Sequence, residues 1–86
     1  MAKKRNKKIK NIFTQILPTE PKIEMTGNKE IIVDGCNGIV EYDENVIKIS
    51  TNTVSIGFEG QGLVITSYDN KVIIITGQIA NLSFTS

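Results

Sequence analysis

From Ile23 to Phe84 the apolar residues of this chain recur at alternate positions, in short runs broken by turn formers. Ile23 and Met25 alternate with Lys22, Glu24 and Thr26. Ile31 and Val33 alternate with Glu30 and Asp34, and Ile47 and Ile49 with Lys48 and Ser50. Val54, Ile56 and Phe58 alternate with Ser55 and Gly57; Leu63 and Ile65 follow, then Ile79 and Phe84. Side chains of an extended chain point to its two faces in turn, so this period means strands with one face buried. Val72-Ile-Ile-Ile75 does not alternate and reads as a central strand covered on both faces. Gly27-Asn28, Asn37-Gly38, Asp43-Glu-Asn45, Asn52, Gly60-Gln-Gly62 and Asp69-Asn70 separate the runs, supplying positive φ or side-chain-to-backbone bonds. Asn37-Gly38 is the strongest two-residue hairpin signal among them. About eight strands at a spacing of roughly 8–10 residues predict an all-β domain.

An internal similarity sharpens that expectation. Glu41-Tyr-Asp-Glu-Asn-Val-Ile-Lys-Ile-Ser-Thr51 lies over Ser67-Tyr-Asp-Asn-Lys-Val-Ile-Ile-Ile-Thr-Gly77, 26 residues on. Val54, Ile56 and Phe58 then fall on Ala80, Leu82 and Phe84, and Ile39 on Ile65. Pseudo-repeats spanning 36–61 and 62–86 would bury their apolar faces by stacking. Hairpins with similar turns also look alike by chance. The expected fold is a short β-roll or solenoid-like stack of about eight short strands, with an N-terminal amphipathic helix. The alternative is a small antiparallel β-sandwich. Residues 1–20 form the helix and its linker, and residues 21–86 the β domain.

Charge divides the chain at the same place. Residues 1–17 hold six bases and no acid, a charge of +6; residues 18–86 hold four lysines against nine acids, a charge of −5. A basic arm on an acidic body points to an anionic partner for the arm. It argues against nucleic acid across the body. The bases are Lys3, Lys4, Arg5, Lys7, Lys8 and Lys10, and they share the arm with an apolar stripe of Ile9, Ile12, Phe13, Ile16 and Leu17. That spacing, i, i+3, i+4, i+7, i+8, is one face of a helix from about Lys7 to Leu17, which Pro18 stops. These eleven residues are the candidate membrane- or partner-binding site. Polar residues interrupt the apolar part and no small-residue cleavage site follows, so the arm is not read as a signal peptide. No apolar run approaches the roughly 20 residues that span a bilayer as a helix.

Little in the body can do chemistry. There is no histidine, which excludes a His-based metal site, triad or proton shuttle. Cys36 stands alone, so no internal disulfide forms, as suits a reducing compartment. Without histidine to activate it, it reads as a small residue at a turn. Asp43, Glu44 and Asp69 sit in turns and read as turn formers facing water, not as a catalytic carboxylate pair. Gly57 to Gly62, GFEGQG, is followed by no helix and no Lys-Ser/Thr, so it is a bulge or tight crossover rather than a phosphate loop. Tyr42 and Tyr68 flank acidic turns that repel phosphate, which speaks against base stacking. No catalytic residue, metal, cofactor or small-molecule substrate is expected.

The stretches PKIEMTGNKEIIVDGCNGIVEYDENVIKIST and GQGLVITSYDNKVIIITGQIANLSF resemble the YabP/YqfC family of sporulation proteins. The carrying features are Pro-x-Ile-x-Met-x-Gly at residues 21–27, Gly38-Ile-Val40, and Gly-x-x-Leu-x-Ile…Ile-x-Ile-x-Gly-x-Ile…Phe over Gly60 to Phe84. The basic amphipathic start followed by proline looks like the YqfC branch. The polar middle, Ser50-Thr-Asn-Thr53, departs from the pattern. The resemblance implies a small non-enzymatic protein of endospore-forming bacteria, made in the mother cell and needed in later spore development, with a membrane-protein companion. The resemblance does not imply a mechanism; with the basic arm it leads to the expectation of an assembly or scaffold factor in the mother-cell cytoplasm, docking by its helix on an anionic membrane surface, such as that around the forespore, or on a membrane-protein partner. A soluble structural subunit of the spore envelope is the alternative. Open strand edges in so short a domain add the expectation of a homo-oligomer.

Overall fold

The computed structural model describes residues 20–86. The expected N-terminal helix lies outside the described residues. Six strands make up the rest: β1 (Lys22–Thr26), β2 (Glu30–Asp34), β3 (Gly38–Tyr42), β4 (Val46–Ser50), β5 (Ser55–Asp69) and β6 (Val72–Thr85). They form one sheet in the order β1-β2-β6-β5-β4-β3, and every pairing is antiparallel.

The fold is all-β as expected, but the strand count and the stack are corrected. The runs on either side of GFEGQG belong to one strand of 15 residues, β5, and those on either side of Gly77 to one strand of 14, β6. Their glycines bend the chain without reversing it. A solenoid-like stack needs parallel pairing between successive coils, and no described pair is parallel.

The two long strands divide the sheet into two four-stranded sections. The first half of β5 lies between β4 and the second half of β6: Phe58 faces Ile47 on one side and Leu82 on the other. The second half of β5 pairs with the first half of β6, which continues into β2 and β1: Ile75 faces Ile65 and Ile31. Each section thus sets apolar residues in rows across one face. Ile31, Val33, Ile73 and Ile75 of one section and Ile47, Ile49, Ile56 and Phe58 of the other are all fully buried, in a single core cluster with Cys36, Leu63 and Ile79. No helix among the described residues covers that face. Full burial of both halves of that face in one cluster requires the two sections to bend over each other within one open antiparallel sheet.

The bend is written in glycine. Register shifts fall between Glu59 and Gly60, between Gln61 and Val64, and between Ile65 and Ser67. A Cβ on Gly60 would collide with the Gln78 carbonyl oxygen, and one on Gly77 would sit 2.6 Å from the Gly62 carbonyl oxygen. Gly77 also has φ +138°, which side-chain-bearing residues rarely adopt. Amides that the shifts release from the ladder find carbonyls on neighbouring turns. Gly60 donates to Asn45 (3.0 Å), Leu63 to Glu44 (2.9 Å), Gly77 to Lys29 (3.1 Å) and Ile79 to Asn28 (2.8 Å). Bulges that keep their hydrogen bonds in this way are built features of a sheet.

Asn37-Gly38, read as a hairpin turn, is a crossover instead. It joins β2 to β3, which lie at opposite sides of the sheet order. Neither residue takes the positive φ that the two-residue hairpin requires. The Gly35 and Cys36 amides both donate to the Lys71 carbonyl (2.8 and 2.9 Å), and Asn37 donates to Ser50 (2.8 Å), so the link is pinned to both sections. Cys36 is a fully buried core residue.

The true tight turn is Asn70-Lys71, between β5 and β6, with φ of 51° and 65°. Two positive φ values make it the primed type that matches strand twist. Lysine pays for that conformation where glycine would not. Lys71→Gly is therefore expected to raise stability by roughly 0.5 kcal/mol, the relief being partly offset by glycine's freedom in the unfolded chain. A urea midpoint that moves upward at unchanged slope is the expected readout.

Residues 26 apart match in the core and diverge at the rim. Ile47 and Ile73 are both fully buried, as are Ile49 and Ile75. Phe58 is fully buried, whereas Phe84, expected at the equivalent core position, is 56% exposed. The reason is position in the sheet: Phe58 has a strand on either side, and Phe84 has β5 on one side only. Val72 and Ile74, expected to be covered, are only half-buried, on the face of β6 away from the core.

Candidate functional site

The eleven candidate residues from Lys3 to Leu17 lie outside the described residues. What the structure places is the point where the arm leaves the body. The Glu20 carboxylate accepts a hydrogen bond from the Thr53 hydroxyl (3.1 Å). Pro21 packs against Gly35, where a Cβ would stand 3.2 Å from the Pro21 Cα. Asp34, Asn52 and Lys71 border the same shallow groove. Glu20 and Pro21, where the described residues begin, thus lie beside the β2–β3 crossover.

Of the acids read as turn formers, Asp43 forms its turn with its carboxylate. Asp43 Oδ1 accepts from the amides of Asn45 (2.7 Å) and Val46 (2.9 Å), closing the β3–β4 turn. The Asp43 turn packs on the β5 bend through the Glu44 carbonyl. The Asp69 turn packs on the crossover through the Lys71 carbonyl. The two turns therefore serve different parts of the body. Among the described residues no polar or charged side chain is buried, and no group of three His, Cys, Asp or Glu could hold a metal ion.

The tyrosines are struts. The Tyr42 hydroxyl accepts from the Ile65 amide (3.0 Å), and the Tyr68 hydroxyl donates to the Cys36 carbonyl (3.1 Å). Tyr42 ties β3 to the section across the bend, and Tyr68 ties β5 to the β2–β3 crossover. The Cys36 sulfur, as a hydrogen-bond partner first, and then desolvation push the Tyr68 phenol above its ordinary pKa. A groove lies along the bend, bordered by Asn28, Asn45, Gln61 and Gln78 with Glu59. Asn45 Nδ2 donates to the Gly60 carbonyl (3.1 Å) and Asn28 Nδ2 to that of Ile79 (3.4 Å), so half of its carboxamides are already engaged in holding the bend.

Among the described residues, many of the polar groups are engaged by the body's own bend, turns and crossover. Compared with known proteins, residues 18–86 match the model of the YabP family. The chain belongs to the YabP family. No curated protein and no solved structure matches it. The match spans the whole described body and begins just after the basic arm. Membership is consistent with a sporulation-related role.

In this YabP-family body the strand edges are where unpaired backbone lies. Sequence reading did not single out which edge is open. β2 pairs with β6 only over Val72–Thr76, so the second half of β6 has β5 on one side and no described strand on the other. The signal that could have located it is compositional: residues 78–86 contain no charge and no proline.

Proposed function

We infer that this chain is a non-enzymatic sporulation assembly factor of the YqfC-like kind, which docks by its basic arm on an anionic membrane surface or a membrane-protein partner. The single observation carrying the reading is the division of charge: +6 and an apolar stripe in residues 1–17, −5 in the rest. The family assignment of residues 18–86 supports the sporulation context. On this reading the protein works in the mother-cell cytoplasm, peripheral on the membrane around the forespore. The β body holds a second component or further copies of itself.

The energetics favour reversible attachment. Six bases near an anionic bilayer contribute about 1 kcal/mol each at best. Five apolar side chains add roughly 1.5 kcal/mol or more apiece when fully buried. Ordering the arm as a helix costs about 1 kcal/mol or more per residue and removes much of that gain. The result is weak, salt-sensitive binding, with a protein partner needed for firm hold.

The half-buried Val72 and Ile74 and the 46%-exposed Val64 favour a second reading. In it the arm's stripe lies on the body, and the protein is a soluble structural subunit of the spore envelope.

Co-sedimentation with anionic vesicles separates the two. Replacing Lys3, Lys4, Arg5, Lys7, Lys8 and Lys10 by glutamine is expected to abolish binding at low salt, and so is replacing Ile12 and Phe13 by serine at unchanged charge. If both variants sediment like the parent, the anchor is elsewhere. If the parent never binds vesicles yet captures a membrane protein through residues 1–17, the arm is a protein-docking element.

A further inference from the structure

The described sheet has four free edges, and three are guarded. β1 carries Lys22 and Glu24 and follows Pro21. β3 carries Glu41 and a bulge between Ile39 and Glu41. The second half of β5 has its Ile65 amide taken by the Tyr42 hydroxyl and ends at Asp69. Charges, prolines, bulges and capped amides are the devices that keep edges from pairing with other chains. The fourth edge, Ala80 to Thr85 of β6, has none of them. The Gly77 and Ile79 amides still find carbonyls on the β1–β2 turn, and beyond Ile79 that cover ends.

This edge is complementary to itself. Leu82 and Phe84 share the core-side face with their cross-strand partners Phe58 and Ile56. Asn81, Ser83 and Thr85 take the other face. Antiparallel pairing of two such strands about a twofold axis at Ser83 sets Leu82 opposite Phe84 and Asn81 opposite Thr85. Apolar then meets apolar on one face and polar meets polar on the other, with no like charges opposed. The row that ends at the exposed Phe84 in one copy continues into Leu82 of the other.

We propose that two copies of this chain pair β6 to β6, antiparallel through residues 81–85. The occupant is a second copy because the edge is uncharged, self-complementary and matched in face. The pairing joins two four-stranded sections into one eight-stranded sheet. It deepens the assembly reading above and rests on it, by naming the surface through which copies join.

The test is light scattering and sedimentation of the full chain up to high micromolar concentration, with two variants. The parent is expected to form a dimer. Phe84→Lys puts like charges close together across the twofold and is expected to weaken the dimer by at least about tenfold. Ser83→Cys is expected to cross-link rapidly under oxidation, because directly opposed Cα atoms lie about 4.5–5.5 Å apart, within disulfide range. The native Cys36 is fully buried and does not compete. A strictly monomeric parent overturns the proposal. So does a dimer that ignores Phe84→Lys and leaves Ser83→Cys uncross-linked. If Phe84→Lys does not fold, the cross-link decides alone. A failure of vesicle docking with the dimer intact removes the membrane reading and not this one.

Discussion

Phe58→Ala lowers the free energy of unfolding by about 3–5 kcal/mol, and Phe84→Ala, measured at low concentration, by about 1 kcal/mol or less. The two residues match in the sequence similarity and differ in the sheet. Phe58 is fully buried between Ile47 and Leu82, so truncation leaves a cavity that the rigid strands on both sides cannot close. Phe84 is 56% exposed and loses little on truncation. Domains of this size hold only several kcal/mol in all, so Phe58→Ala is expected to leave a substantial unfolded population near physiological temperature. Urea denaturation of both variants checks the contrast. Equal losses would mean that the two phenylalanines occupy equivalent positions after all.

Gly60→Ala and Gly77→Ala each cost roughly 3 kcal/mol or more. At Gly60 the new methyl group meets the Gln78 carbonyl oxygen, which belongs to backbone and cannot rotate away. At Gly77 the methyl meets the Gly62 carbonyl oxygen at 2.6 Å and the Leu63 Cα at 2.9 Å, and φ of +138° adds strain of its own. Relief requires the two long strands to move apart at the bend, which breaks the hydrogen bonds that Asn28, Lys29, Glu44 and Asn45 make to it. Gly27 and Gly62 serve as controls. Both have positive φ, yet a Cβ there meets nothing within 4 Å, so alanine costs only the conformational penalty of about 1–2 kcal/mol. Melting curves that rank all four variants alike would place the tight crossing elsewhere.

Much of the body was legible one strand at a time. Ile31 and Val33, Ile47 and Ile49, and Ile56 and Phe58 alternate with polar neighbours, and all six are fully buried. Period two reports which side of a strand is dry, and that is a local property. Asp43 and Asp69-Asn70 were legible as turns because their bonds and dihedrals involve only near neighbours. The bend was half legible. GFEGQG read as a bulge or crossover, but not as a bend that leaves β5 continuous, since glycine permits either outcome. Asn37-Gly38 misled because its hairpin preference is weaker than the pull of the core. Placing Cys36 inside and pinning Gly35 and Cys36 to Lys71 requires a crossover there.

The candidate site was legible only as chemistry. The charge of the arm and its stripe are properties of residue types and spacing, and the acidic, histidine-free body is a matter of composition. The alternation of apolar and polar residues determined by itself that the body is all-β, and residue type that Asp43 makes a turn. Tertiary structure decided the rest. It decided that β2 pairs with β6 and not with β3, that Tyr42 braces the bend and Tyr68 the crossover, and that Phe58 is inside while Phe84 is at a rim. The physical reason is that alternation tells a strand which face to bury and nothing about which strand lies beside it. Neighbours, and hence open edges, follow from how one bent sheet covers its own apolar face.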